Sequence, residues 1–167
     1  NGATDQMPNA FLSWSAVPGA FHYKVQISKD SIFTNPVYYT STLTALNSVN
    51  LNFNTSYYWR VKAYGVSDSS GWSDFKRFKV LKTVKIIKPL NGTQDRPVSL
   101  YFKWNAVTGI IRYEYQIDSS TSFTSPLLVM GNIASSKIET YSKNVAFNTN
   151  LYLRMRALHA TDTSDWS

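Results

Sequence analysis

The chain has 167 residues, 43% of them hydrophobic, 15% aromatic and only 16% charged, with no cysteine and a formal charge of +7. This composition supplies apolar material for packed cores and excludes a disordered chain, a disulfide scaffold and a thiolate metal site. No apolar run approaches the roughly 20 residues of a membrane-spanning helix, and the amino terminus lacks a signal-peptide pattern; the charge reads first as a solubility device and second as affinity for an anionic partner.

Taken in order, Leu12 and Trp14 begin the buried face of an early strand, and Pro18-Gly19 turns the chain. Tyr23, Val25 and Ile27 then alternate inward against His22, Lys24 and Gln26 outward, the period of a strand with one buried face. Residues 30–36 read as a loop, followed by an edge strand near 37–40 and another strand ending near Leu51. After a turn at 52–56 comes the most regular run, Tyr57-Tyr58-Trp59-Arg60-Val61-Lys62-Ala63. Its odd residues face inward; Tyr58, Arg60 and Lys62 face out. Residues 65–71 form the next loop, and 75–81 close a first sandwich.

The pattern then returns. Trp14-Ser15-Ala16-Val17 reappears as Trp104-Asn105-Ala106-Val107, an offset of 90, and Tyr23, Gln26, Ile27, Phe33, Thr34 and Pro36 return as Tyr113, Gln116, Ile117, Phe123, Thr124 and Pro126. From Phe53-Asn54-Thr55 against Phe147-Asn148-Thr149 the offset is 94, and Leu151-Tyr152-Leu153-Arg154-Met155-Arg156-Ala157 repeats the central strand. A period of this length fits whole domains in tandem, expected at residues 1–82 and 83–167, rather than a solenoid. The linker, Lys82 and Thr83, is too short to be a flexible tether, so the domains are expected end to end. Lys76, Arg77, Lys79, Lys82, Lys85 and Lys88 cluster around it, and on an exposed edge strand such lysines oppose sheet-to-sheet pairing.

The run Leu51-x-Phe53-x-Thr55-x-Tyr57-x-Trp59-x-Val61-x-Ala63, with an early-strand Trp and Gly71-Trp72-Ser73, resembles a fibronectin type III domain, and the second copy matches too. The dialect is similar to tandem modules of secreted and surface proteins of Bacteroidetes-like bacteria. The resemblance implies two all-β, immunoglobulin-like antiparallel β-sandwiches in tandem. It also implies that Tyr57 forms a tyrosine corner, which Leu151 cannot form, so the second domain is expected to be less stable. By the further likeness of Trp-Ser to the cytokine-receptor signature, Trp72 is expected over Arg60 and Lys62, and Trp166 over Arg154 and Arg156. The integrin-binding Arg-Gly-Asp of some family members is missing.

Residues 85–90 precede Asn91-Gly92 without a counterpart before Asn1-Gly2, and 75–81 follow Trp72-Ser73 without a counterpart after Ser167. Both ends are therefore expected to lie within a longer array. The second domain is expected to lack its final strand, with disordered residues beyond Ser167 or a strand supplied by another chain.

No catalytic constellation, phosphate loop or calcium loop appears, the ten carboxylates are scattered, and His22 and His159 fall at unrelated places in the repeat, each read as an outward surface histidine. No catalytic residue, metal site or cofactor is expected. The sharpest surface is the outward face carrying Lys24, Tyr58, Arg60, Lys62, Tyr152, Arg154 and Arg156, where basic and aromatic groups adjoin; Glu114 opposite Arg154 or Arg156 reads as a cross-strand pair. Trp14, Tyr57, Trp72, Trp104 and Trp166 are structural positions. Ser31, in Asp30-Ser31-Ile32, fits a bacterial O-glycosylation pattern, and Asn54 and Asn91 fit the eukaryotic N-glycosylation pattern.

The expected use is a non-enzymatic spacer or adhesion module of a larger extracellular or cell-surface protein. Its expected partners are neighbouring domains and a protein or glycan ligand, with no specific nucleic acid and no membrane insertion. The alternative is a carbohydrate-binding accessory unit of a surface hydrolase, with Tyr58, Tyr38 or Tyr39 as sugar platforms.

Overall fold

The computed structural model describes residues 2–47, 51–94, 99–126, 128–142, 145 and 148–167, without the side chains of Thr4 and Asp5. Phe147, part of the repeat, lies outside them. The chain divides into two compact units, Asn1–Leu81 and Lys82–Ser167. Lys82, expected to end the first domain, lies in the second, where its carbonyl accepts the Asp165 N–H at 3.0 Å and its ammonium stands 3.6 Å from the Asp165 carboxylate.

The first unit contains β1 (Ala3–Gln6), β2 (Phe11–Ser13), β3 (His22–Ser28), β4 (Val37–Ser41), β5 (Ala45–Asn47), β6 (Ser56–Tyr64) and β7 (Lys76–Val80). A five-stranded sheet of order β1-β7-β6-β3-β4 faces a two-stranded sheet, β2-β5. The alternation in sequence sets the faces: Tyr23, Val25, Ile27, Tyr57, Trp59 and Ala63 are buried together with Leu12 of the opposite sheet. One pair departs from the antiparallel expectation, because β1 runs parallel to β7 with Ala3 opposite Phe78 and Gln6 opposite Val80. β7 is therefore an interior strand between β6 and β1, not the lysine-protected edge expected from its composition. Its cations lie instead over rings, Lys76 5.7 Å from Trp59 and Arg77 6.0 Å from Tyr58.

The second unit contains β8 (Ile86–Lys88), β9 (Leu100–Trp104), β10 (Arg112–Asp118), β11 (Val129–Ala134), β12 (Glu139–Ser142) and β13 (Tyr152–Leu158). Its sheets are β11-β10-β13 and β12-β9-β8, all antiparallel. No strand equivalent to β7 follows β13 among the described residues. Both units are thus immunoglobulin-like, fibronectin type III-like sandwiches, and the chain is all-β.

Core volume is redistributed between the copies rather than copied. Trp59 becomes Leu153 while Leu12 becomes the fully buried Phe102. Val25 opposite Tyr39 becomes Tyr115 opposite Gly131, and a Cβ on Gly131 would stand 2.5 Å from the Tyr115 ring. The large side chain has moved across the strand pair, and glycine makes room for it. The indole N–H groups of Trp14 and Trp104 are both buried without an acceptor among the described residues, a cost shared by the two cores.

Candidate interaction surface

The outward face of the central sheet begins with backbone register. β3 and β6 place Gln26 opposite Arg60 and Lys24 opposite Lys62, while β10 and β13 place Gln116 opposite Arg154 and Glu114 opposite Arg156. At these distances cross-strand neighbours on one face must interact.

Arg60 lies in a sandwich. Its guanidinium is 4.1 Å from the Phe33 ring centroid and 5.0 Å from that of Trp72, and its Nε donates to Gln26 Oε1 at 2.6 Å. Arg154 repeats this arrangement with Phe123 at 3.9 Å, Trp166 at 4.6 Å and Gln116 Oε1 at 2.7 Å. Each cation–π contact contributes on the order of 0.5–2 kcal/mol. The phenylalanines reach the arginines from the loop after β3 or β10 through left-handed backbone, φ 56° at Phe33 and 54° at Phe123. Gln26 is consequently buried despite its outward position, and its amide also donates to the Tyr38 hydroxyl at 2.9 Å.

The loops are held by a carboxylate in each copy. Asp30 accepts from the backbone N–H of Ile32 and Thr34 and from the Ser28 hydroxyl. In the second copy the acid and serine have exchanged places, and Asp118 accepts from Ser125 through both its backbone N–H and its hydroxyl, and from the N–H of Ser119 and Ser120. The Thr34 N–H lowers the Asp30 carboxyl below its ordinary value, and at Asp118 burial pushes upward but is outweighed by the Ser125 contacts.

The tryptophans are positioned by serines. Ser73 N–H donates to Val61 O at 2.9 Å while Val61 N–H donates to Ser73 Oγ at 3.1 Å, and Ser70 forms the same reciprocal pair with Ala63. Ser167 with Met155 and Ser164 with Ala157 repeat both pairs. This serine lacing lays Trp72 and Trp166 across the outward arginines. The repeated Asp-x-Ser-x-Trp-Ser of residues 68–73 and 162–167 was its sequence signal.

Trp72 does not cover Lys62 as expected. The ammonium groups of Lys62 and Lys24 both lie 5.4 Å from the Tyr64 centroid, and His22 stacks on the same ring at 4.8 Å. Trp166 covers both arginines, with Arg156 at 4.5 Å. Arg156 also binds Glu114 at 2.6 Å, and Arg112 reaches the same carboxylate at 3.1 Å. Burial pushes the Glu114 carboxyl up, but Arg156 and Arg112 outweigh it and hold it below its ordinary value. Tyr58 packs edge-on against Phe75 at 5.6 Å beside Arg77, leaving no open ring face comparable to Tyr38, which is 58% exposed. Tyr152 is exposed at the start of β13.

The structural positions have distinct partners. Tyr57 Oη accepts the Asn52 N–H at 2.9 Å and donates to Asn52 Oδ1 at 3.2 Å, a corner for which the half-buried Leu151 has no hydroxyl. A second hydroxyl tie was missed and is present twice: Tyr23 accepts Val17 N–H at 3.0 Å and Tyr113 accepts Val107 N–H at 2.7 Å. Trp14 and Trp104 pack edge-on against these tyrosines at 5.5 and 5.2 Å. His159 is buried rather than outward, in the turn after β13 where its backbone N–H donates to Asp162 O at 2.8 Å. Ser31, Asn54 and Asn91 are exposed, Asn54 with φ 51°.

Among the described residues no group of three or more His, Cys, Asp or Glu could hold a metal ion, and no helix is long and apolar enough to cross a membrane. No family model and no curated protein matches the chain. Among solved structures it is similar to a two-domain fibronectin type III segment from chicken tenascin, with a TM-score of 0.47 and 12% identity over 98% of this chain and 91% of that one. It is also similar to the FN1–FN3 domains of chicken CNTN1, with a TM-score of 0.39 and 12% identity over 99% of this chain and 60% of that one. The sandwich fold stands on the strand order described above.

Proposed function

We propose that the chain is a non-enzymatic module of a larger extracellular or cell-surface protein, acting as a spacer or as an adhesion and protein-interaction unit. The observation that supports this reading is the double use of one device: Phe33–Arg60–Trp72 and Phe123–Arg154–Trp166 engage the outward arginines within their own units. A sheet face stiffened in this way suits a load-bearing or presenting element more than a reacting one. Within it the part free to meet a ligand is the Lys24, Lys62, Tyr64 and His22 cluster of the first unit. There two ammonium groups stand opposite each other with no carboxylate ion pair described at either. Such a cluster suits an acidic protein surface or an anionic glycan.

The test is binding of the 167-residue chain to sulfated and uronic-acid glycans and to acidic peptides across a salt series. Salt-sensitive binding lost in Lys24→Glu/Lys62→Glu, with Arg60→Ala retaining it, is expected. Binding indifferent to both lysines removes that face from consideration, and hydrolytic activity in the purified chain overturns the non-enzymatic reading. The carbohydrate-accessory alternative is favoured by one observation, the exposed Tyr38 ring beside Gln26. Micromolar binding of a neutral glycan lost in Tyr38→Ala but not in Tyr58→Ala supports it.

A further inference from the structure

Two neighbouring rows of side chains cross the outward face of the first unit. Register places Tyr38, Gln26 and Arg60 in line on β4, β3 and β6, and Thr40, Lys24 and Lys62 in line beside them. In the first row Arg60 is enclosed by Phe33 and Trp72 and binds Gln26, whose amide donates to the Tyr38 hydroxyl at 2.9 Å. That hydrogen bond ties down the outer end of the Tyr38 ring while the side chain stays 58% exposed. A ring fixed before contact gives up little conformational freedom on binding.

In the second row both ammonium groups lie 5.4 Å from the Tyr64 centroid, and neither has an ion-paired carboxylate among the described residues. Asp68, in the loop after β6, turns its carboxylate over Gly65 and pairs with neither lysine. Like charges directly across an antiparallel pair destabilise, so the sheet gains when an anion bridges them. The second unit has the same two rows without either feature. Met130 stands opposite Gln116 where Tyr38 stands opposite Gln26, and Glu114 replaces Lys24 and binds Arg156 at 2.6 Å. Its charge is cancelled within the sheet, and no ring stands at that position.

We propose that this face of the first unit binds an acidic glycan, with a carboxylate or sulfate of one sugar held between Lys24 and Lys62 and the adjoining pyranose ring laid on Tyr38. The inference rests on the reading of Lys24 and Lys62 as a ligand-facing cluster and adds the ring, which selects a sugar chain over an acidic peptide. Tyr38 lies diagonal to Lys24, one strand and one row away, which is about 7–8 Å and a separation that adjacent rings of one glycan span. The C–H face of a pyranose complements the negative face of an aromatic ring, and a run of glutamates offers carboxylates without such a face. Thr40, exposed in the lysine row and next but one to Tyr38 on β4, offers a hydroxyl to the same sugar.

The test titrates the full chain with three probes: a uronic-acid oligosaccharide, the same oligosaccharide with its carboxyls reduced to alcohols, and hexaglutamate. The uronic-acid probe is expected to bind, and the other two to bind about tenfold more weakly or not at all. Tyr38→Ala is expected to lower its affinity about tenfold while leaving the salt dependence unchanged, since the ring carries no charge. Lys24→Gln is expected to lower both the affinity and the salt dependence, and Tyr38→Trp, which keeps a platform, to retain binding. Hexaglutamate binding as tightly, or uronic-acid binding indifferent to Tyr38→Ala, overturns the glycan assignment; if Lys24→Glu/Lys62→Glu still abolishes that binding, the lysine cluster stands as a site for acidic groups in general. Equal binding of the carboxyl-reduced probe overturns the assignment in favour of a neutral glycan. Absence of binding by both acidic probes overturns the assignment and the lysine cluster together.

Discussion

The two units carry the same inner strands, and among the described residues different strands lie beside them. In the first, β7 extends the sheet beyond β6 and β1 adds to it in parallel; in the second, the extra strand β8 joins the opposite sheet, beside β9. What stays constant is the set of anchors: the tyrosine tie to Val17 or Val107, the serine lacing of the Trp-Ser loop, and the arginine between two rings. The pairs β3 and β6, and β10 and β13, are therefore held by the same local devices in both units.

The difference in cover predicts the largest contrast. Trp104 is wholly buried beside β8, so Trp104→Ala is expected to cost about 3–5 kcal/mol in the second unit. Trp14 is half-buried, so Trp14→Ala is expected to cost roughly 1–3 kcal/mol in the first. Hydrogen exchange resolved by unit in the intact chain measures both. Equal costs would mean that β8 does not protect its tryptophan.

The tyrosine corner comes next. Tyr57→Phe leaves the Asn52 N–H without its acceptor and is expected to destabilise the first unit by about 1–3 kcal/mol. With Leu151 in that place the second unit is expected to unfold first in denaturant. A first unit that remains the more stable after Tyr57→Phe would show that the corner is not what separates them.

These contrasts also explain what could be read in the sequence. Tyr57 to Ala63 alternate strictly because one face of β6 meets the core, and that period is local, so strand and buried face were both legible. The parallel pairing of β1 was not, because Ala3 meets Phe78 far along the chain and parallel addition leaves no turn signature between the partners. The repeat revealed Phe33/Phe123 and Gln26/Gln116 as equivalent pairs but not their roles. A loop phenylalanine reaches an outward arginine only through a left-handed φ, which side-chain alternation does not encode. Lys62 went to Tyr64 rather than Trp72 because the register puts it opposite Lys24, and the neighbouring ring accommodates both ammonium groups.

Acid should separate the units on this same face. Glu114 has a carboxyl held below its ordinary value of 4.5, so its contribution is present above 4.5 and is lost as pH falls through the lower folded value. The effect is modest, since the pairs with Arg156 and Arg112 are partly in water. Thermal melts of the second unit from neutral pH down to about 3 are expected to lose part of this dependence in Glu114→Gln. The first unit has Lys24 at that position and no such step there. An unchanged pH profile would assign the acid sensitivity to Asp118 and its loop instead.

The smallest effect is the most direct exchange between the copies. Lys24→Glu places a carboxylate opposite Lys62, converting a like-charge pair into the arrangement that Glu114 and Arg156 have in the second unit. It removes one ammonium from the Tyr64 ring, which Lys62 still approaches at 5.4 Å. The net expectation is a gain of about 0.2–1 kcal/mol in the first unit, because opposite charges directly across an antiparallel pair stabilise and like charges destabilise. The gain should shrink in high salt, since both side chains reach solvent. Stabilisation accompanied by loss of anionic-ligand binding would mean that the Lys24 and Lys62 pair is kept for contact at the expense of the sheet. Destabilisation would mean that Tyr64 already offsets the repulsion, leaving the face as a structural ladder in both units.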